Sequence, residues 1–328
     1  MRRLLIFLVT LMCAGTVSSA DSVVRFAMGG YDLNTETNQW EVFGWYIDVR
    51  CFDEAAPGTV DNFLRYVNDG LYDNTIWHRS SVYEESGNPF VLQGGGYKVG
   101  DNQIVEIPSY DTIDNEYGIP NYRGTLAMAK KAPQYDDNDD LIPGTGPDSA
   151  TNQFFFNLDD ENTSVLGPGN NGGYSVFAHV LGEGMNVVDY LAGFPTYNLY
   201  NLHFAFSETP VNGSIEGGIY PQQFLYLFEA EVITDLDGDL NLDGVVDSAD
   251  AEIFRQHYGG EGTWAEGDFD GDFDVDFRDA WRLLENYSGP ESAGDMAEYL
   301  TRGAVPEPGS LAILGVIGAA MLRRRQQR

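Results

Sequence analysis

The chain has 328 residues and a formal net charge of −33 at neutral pH. The charge is uneven: 50 acidic and 12 basic residues lie between positions 21 and 302, while six arginines sit at the two extreme ends. Such a body repels phosphate backbones, which excludes nucleic-acid binding, and the length accommodates one large domain plus a smaller one.

Residues 1–20 read as a secretory signal. Arg2 and Arg3 form its charged start, Leu4 to Met12 an apolar run too short to span a bilayer, and Ser18-Ser19-Ala20 a small-residue cleavage site. Cys13 would suit a lipoprotein, but Met12 is bulky for that pattern, so cleavage after Ala20 is expected. That leaves Cys51 alone and no intrachain disulfide. Val23 to Met28 and Phe43 to Phe52 read as paired strands, with Gly29 to Gln39 polar and turn-rich between them. From about Gly58 to Asn68, Val60, Phe63, Leu64 and Val67 make one helical stripe, which Gly70 stops. Residues 75–96 read as a β-hairpin: Ile76-Trp77 and Phe90-Val91-Leu92 flank a turn at Gly87-Asn88-Pro89. Its first arm carries Arg79, a permanent cation with planar donors. Its second carries Gln93, just before Gly94-Gly95-Gly96.

Residues 97–123 are loop-rich. Thr125 to Ala129, Gln153 to Leu158, Tyr174 to Val180 and Phe224 to Ile233 read as strands, and Met185, Val188 and Leu191 mark a second short helix. Lys130 to Pro147 is an acidic stretch with Asp136, Asp137, Asp139 and Asp140, and Pro195 to Gly218 is a further loop. His78, His179, His203 and His257 show no metal-ligand spacing, and His78 reads as structural.

At Thr234 the composition changes. Asp239, Asn241, Asp243, Gly244, Asp247 and Asp250 occupy positions 1, 3, 5, 6, 9 and 12 of a calcium loop, with the backbone carbonyl of Val245 at position 7. The pattern repeats 29 residues on with Asp268, Asp270, Asp272, Asp274, Asp276 and Asp279, with Phe273 at the position where the first loop has Gly244. A helix should follow each loop, bearing Ile253, Phe254, His257 and Tyr258, then Trp281, Leu284 and Tyr287. Loop and helix twice over resemble a type I dockerin, which implies bound calcium and a cohesin-like partner; an acidic, solvated linker is the plainer reading. Near the end, Pro306-Glu307-Pro308, an apolar run from Leu311 to Leu322 and Arg323-Arg324-Arg325 resemble a PEP-CTERM sorting signal. That likeness implies transient membrane contact and processing by an exosortase-type enzyme, with a short membrane tail as the alternative. The domain reading is therefore signal 1–20, main domain 21–233, calcium-loop module 234–290, linker 291–304 and sorting signal 305–328. The location is the cell surface, outer envelope or extracellular space.

The hairpin residues Tyr72 to Arg79 and Phe90 to Gly95 resemble the signature of cyclophilin-type peptidyl-prolyl isomerases. So do Gly124 to Ala129, Asp148 to Phe155 and Tyr174 to Phe177, in the family's order. The resemblance covers roughly residues 23–233. It implies a mainly β fold, an eight-stranded antiparallel barrel capped by two helices, and isomerisation of X-Pro bonds without a cofactor. It gives Arg79, Gln93 and Phe90 catalytic roles, with Gln93 holding substrate backbone and orienting Arg79. Val91, Ala129, Gln153, Phe155, Val165, Leu166 and Tyr174 become substrate-binding. Familiar members have Trp where Val165 stands, so cyclosporin should bind poorly. Tyr174 replaces a frequent His, and Lys130-Lys131 replace a small polar pair. The alternative from another class is a non-catalytic surface module that binds proline-containing segments.

Overall fold

The computed structural model describes residues 21–300, apart from residues 84, 101–102, 235–237, 242, 261–265 and 270–273. The expected signal and sorting segments lie outside the described residues. Strands β1 (Val23–Asn34) and β2 (Gln39–Cys51) pair in unbroken register from Val23↔Arg50 to Asn34↔Gln39. This hairpin is longer than its polar composition suggests. The Asn34 side chain accepts from the Glu36 and Thr37 amides, and Asn38 takes a positive φ, so only Thr35 to Asn38 form the turn.

Helix α1 (Pro57–Asn68) starts on a proline, whose missing N–H costs nothing in a first turn, and buries Val60, Phe63 and Val67. Strands β3 (Thr75–Ile76), β4 (Arg79–Val82), β5 (Pro89–Gly94), β6 (Tyr97–Val99) and β7 (Ile104–Glu106) follow. The 75–96 hairpin exists with a different first arm: Arg79–Val82 pairs with Pro89–Gly94, whereas Ile76 pairs with Tyr226. The expected loop at 97–123 contains the β6–β7 pair. Next come β8 (Thr125–Met128), β9 (Phe154–Asn157), the unforeseen one-turn α2 (Asn162–Val165), β10 (Val176–Val180) and α3 (Gly184–Ala192). The Pro195–Gly218 loop contains a small ladder of β11 (Thr196–Tyr197) and β12 (Thr209–Pro210), ahead of β13 (Tyr226–Thr234).

Eleven strands form one antiparallel sheet in the order β4-β5-β9-β8-β10-β2-β1-β13-β3-β6-β7. The sheet curls, and β3 and β4 are separated in the chain only by Trp77 and His78. There the backbone changes neighbours: the Trp77 amide donates to Leu225 and the His78 amide to Gln93. Side chains inside the curl form the core, with Phe26, Met28, Leu92, Leu126, Phe154, Phe156 and Phe177 meeting Val60 and Phe63 of α1 and Val188 and Leu191 of α3.

Beyond β13, α4 (Ser248–His257) and α5 (Phe277–Asn286) each begin with a capping box, from Asp247 and Asp250 and from Asp276 and Asp279. The expected linker is not structureless, since α6 (Ala293–Leu300) buries Met296, Ala297 and Leu300 among Phe254, Leu283 and Leu284. The same cluster reaches Val23 and Leu181 of the large domain. Arg50, buried on β2, also donates to the carbonyls of Asp268 and Phe269, at 3.2 and 2.7 Å.

Candidate active site

Strand alternation builds the site. On β9, Phe154 and Phe156 point into the core while Phe155 points to the opposite face; on β8, Leu126 and Met128 flank Ala127 in the same way. Directly paired residues share a face, and the registers Arg79↔Gln93, Gln93↔Phe155, Phe155↔Ala127 and Ala127↔Val176 join into one row across five strands. That row runs from a guanidinium, past an amide, onto an apolar floor.

Val91, Ala127, Phe155, Leu166 and Val176 form the buried part of the floor, with Phe90, Ala129 and Tyr174 partly buried against it. The Tyr174 and Phe155 rings meet edge to face at 5.8 Å. Two buried asparagines fix the rim: Asn162 donates to the Phe90 carbonyl at 2.9 Å and to Asn157 at 2.7 Å. Gly94 is needed because a Cβ there would lie 2.6 Å from the Trp77 ring, and Gly95 because its φ is +78°.

Most of the site residues expected from the sequence are brought together. Gln93 faces Arg79 in register, and its amide nitrogen donates to Gln153 at 2.9 Å. The Arg79 Nε donates to Glu208 at 2.9 Å. Arg79 also lies close enough to Tyr174 to oppose the rise that burial causes in the phenol's pKa. Val165 ends α2 with 39% of its surface exposed, apart from the buried floor. Ala127, Val176 and Glu208 went unread in the sequence. For Ala127 the signals are its place in the Gly124 to Ala129 block and its two-residue spacing from Ala129.

Lys130 enters the site from the side. Its Nζ lies 4.8 Å from the Tyr174 ring centroid, donates to Asn115 and Asn171 at 3.2 and 2.8 Å and also bonds the Gly173 carbonyl. Burial lowers its pKa from 10.5 to about 8. His78, 1% exposed between Phe206 and Tyr97, is held neutral by burial, with its pKa lowered to about 3. It is structural, as expected.

The calcium-loop candidates fall into two groups. In the first loop, the buried Asp239 accepts from the Asp243 and Gly244 amides, both at 3.0 Å. The buried Asp250 accepts from the amides of Asn241 and Asp247 at 3.0 and 2.9 Å. Burial chiefly, with the Asp239 charge adding to it, raises the Asp250 pKa. Val245 and Asp247 lie on the same loop. In the second loop, carboxylate oxygens of Asp274, Asp276 and Asp279 lie within 4.8 Å of one another, and Asp268 is buried. Asp270 and Asp272 lie outside the described residues. Carboxylate oxygens converging from a turn suit a hard cation.

Residues 33–205 match the family described as cyclophilin type peptidyl-prolyl cis-trans isomerase. Peptidyl-prolyl cis-trans isomerase B of Escherichia coli is 40% identical over 154 residues, covering 46% of this chain and 80% of the relative. Peptidyl-prolyl cis-trans isomerase cyp18 of Streptomyces antibioticus is 39% identical over 173 residues, covering 52% and 86%. Among solved structures, a Cryptosporidium parvum cyclophilin type peptidyl-prolyl cis-trans isomerase is 19% identical, covers 65% of this chain and 98% of its own, and superposes with a TM-score of 0.40. The chain belongs to the cyclophilin-type peptidyl-prolyl cis-trans isomerases. It is an enzyme of that class, acting on proline-containing peptides or proteins, and the non-catalytic alternative gives way to it.

Proposed function

We propose that this is an exported isomerase of extracytoplasmic or surface proteins in which Arg79 accelerates rotation about X-Pro bonds. Amide resonance sets a rotation barrier of about 18–20 kcal/mol. As the bond twists, the prolyl nitrogen loses conjugation and regains a basic lone pair. A guanidinium donor that reaches this nitrogen binds the twisted form more strongly than the planar one, which lowers the barrier without breaking a covalent bond. The proline ring rests on Phe155 and Leu166, walled by Phe90, Val91 and Tyr174. Gln93, Gln153 and Ala129 line the neighbouring groove for substrate backbone. The observation carrying this reading is the row that places Arg79 beside an apolar floor on one sheet face.

The test is exchange NMR or a protease-coupled assay on an X-Pro peptide, using residues 21–300 in chelator. Acceleration of cis-to-trans exchange supports the reading. A folded protein no faster than the uncatalysed reaction over several peptides would overturn it.

In the same reading, residues 234–290 are a dockerin-like module that binds calcium and docks to a cohesin-like partner. The fully buried Asp239 and Asp250, bonded to no cationic side chain among the described residues, support the calcium part. The sorting tail would be processed by an exosortase-type enzyme after transient membrane contact, leaving the enzyme at or beyond the cell surface. Mass spectrometry of the exported protein checks this, with loss of Arg323 to Arg328 as the expected result.

A further inference from the structure

We infer that Glu208 is a positioning residue for the isomerase, supplied by the β11–β12 segment to aim Arg79 at the substrate. The inference rests on the catalytic reading of Arg79. The Arg79 Nε donates to Glu208 at 2.9 Å, and neither terminal nitrogen hydrogen-bonds to another described residue. The carboxylate therefore grips the guanidinium from its inner side and leaves both terminal NH2 groups for a ligand. Both side chains are about one-third exposed, at 34% and 39%, so the pair sits at an open mouth.

The grip is fixed from the backbone. The Ser80 amide donates to the Glu208 carbonyl at 2.8 Å, and the next residue, Thr209, donates from its hydroxyl to the His78 carbonyl at 2.9 Å. These bonds hold residues 208–209 along the exposed side of β4, on either side of Arg79. The segment is closed on itself by Thr196↔Pro210 and Tyr197↔Thr209 pairing and by the Val211 amide on Pro195. Its core is anchored by Leu199, Phe206 and Val211 packed with Ile76 and Tyr97. Glu208 is a turn residue that immediately precedes the braced strand β12 and is tied through its own carbonyl to Ser80, whereas the long Arg79 side chain has many rotamers to lose. Gln93 faces Arg79 and donates through its amide nitrogen to Gln153; among the described residues the side chain that hydrogen-bonds the guanidinium is Glu208.

The test is a double-mutant cycle on residues 21–300, with kcat and KM separated by exchange NMR at varied peptide concentration. Glu208→Ala should lower kcat about three- to tenfold, the range of one orienting hydrogen bond, with KM nearly unchanged. Glu208→Gln, which retains an acceptor for Nε, should recover most of that loss. In an Arg79→Ala background, Glu208→Ala should cost nothing further, because its effect passes through the guanidinium. Equal losses in the Arg79 and Arg79→Ala backgrounds, or an unchanged kcat in Glu208→Ala while Arg79→Ala is impaired, overturn the positioning role and leave the catalytic reading standing. Full activity in Arg79→Ala overturns both. Circular dichroism confirms folding of each variant, and Glu208→Gln supplies the comparison if Glu208→Ala does not fold.

Discussion

The ammonium of Lys130 lies over the face of the Tyr174 ring, at 4.8 Å from its centroid, where it joins the loop after β8 to the edge of the apolar floor. Burial lowers the Lys130 pKa from 10.5 to about 8. Between those values the unfolded chain holds a proton that the folded chain has released, so this group makes stability rise with pH. Thermal melts of wild type and Lys130→Met from about pH 7 to 10 should show the wild type gaining on the variant. A constant difference across that range rejects the assignment.

Arg79→Lys keeps a positive charge but replaces a planar fork of donors with a point charge. We expect kcat/KM to fall at least tenfold, about 1.4 kcal/mol of barrier, with an unchanged melting temperature. Near wild-type activity would mean that charge alone suffices.

His78 stays neutral in the folded protein down to about pH 3, whereas an exposed histidine takes its proton near 6.5. Across that window the unfolded chain binds the extra proton, so stability is lost as pH falls from about 6.5 towards 3. Denaturant titrations should show His78→Asn with a shallower acid limb, by up to about 1.4 kcal/mol per pH unit. Identical slopes would show that His78 does not titrate on unfolding.

Arg50 donates to the backbone carbonyls of Asp268 and Phe269 in the second acidic loop and pairs with Asp21. Arg50→Met should cost about 3 kcal/mol, because buried acceptors and a carboxylate lose a charged donor. Calorimetry should also show the helical module separating as an earlier transition. A single transition at the wild-type temperature would refute the coupling.

Calcium at about 100 times its dissociation constant should stabilise the full chain by about 2.7 kcal/mol, reversibly with chelator. Asp239→Asn combined with Asp268→Asn should abolish the shift. No change in melting at millimolar calcium removes the dockerin-like reading.

The sequence by itself determined the family, the helical stripe of α1, the hairpin bearing Arg79 and Gln93, and the helices after the two acidic loops. Each is a local pattern: a period of 2 or 3.6, a turn residue, or a short block of fixed order. It also named Phe90, Val91, Phe155 and Tyr174, because the family's blocks carry them, and Leu166, which lies between two of those blocks, from the resemblance. Tertiary structure decided what depends on strand order. The row from Arg79 to Val176 joins residues up to 97 positions apart through four registers, which no window of sequence contains. Switching neighbours at Trp77 and His78 moved the hairpin's first arm to Arg79–Val82, because Ile76 was claimed by β13. Glu208 lies 129 residues from Arg79 in a segment that reads only as a loop, so its role depends on Ser80 and Thr209 holding that segment against β4. Residues 293–300, which read as a linker, became a helix because Phe254, Leu283 and Leu284 left an apolar surface for Met296 and Leu300 to cover.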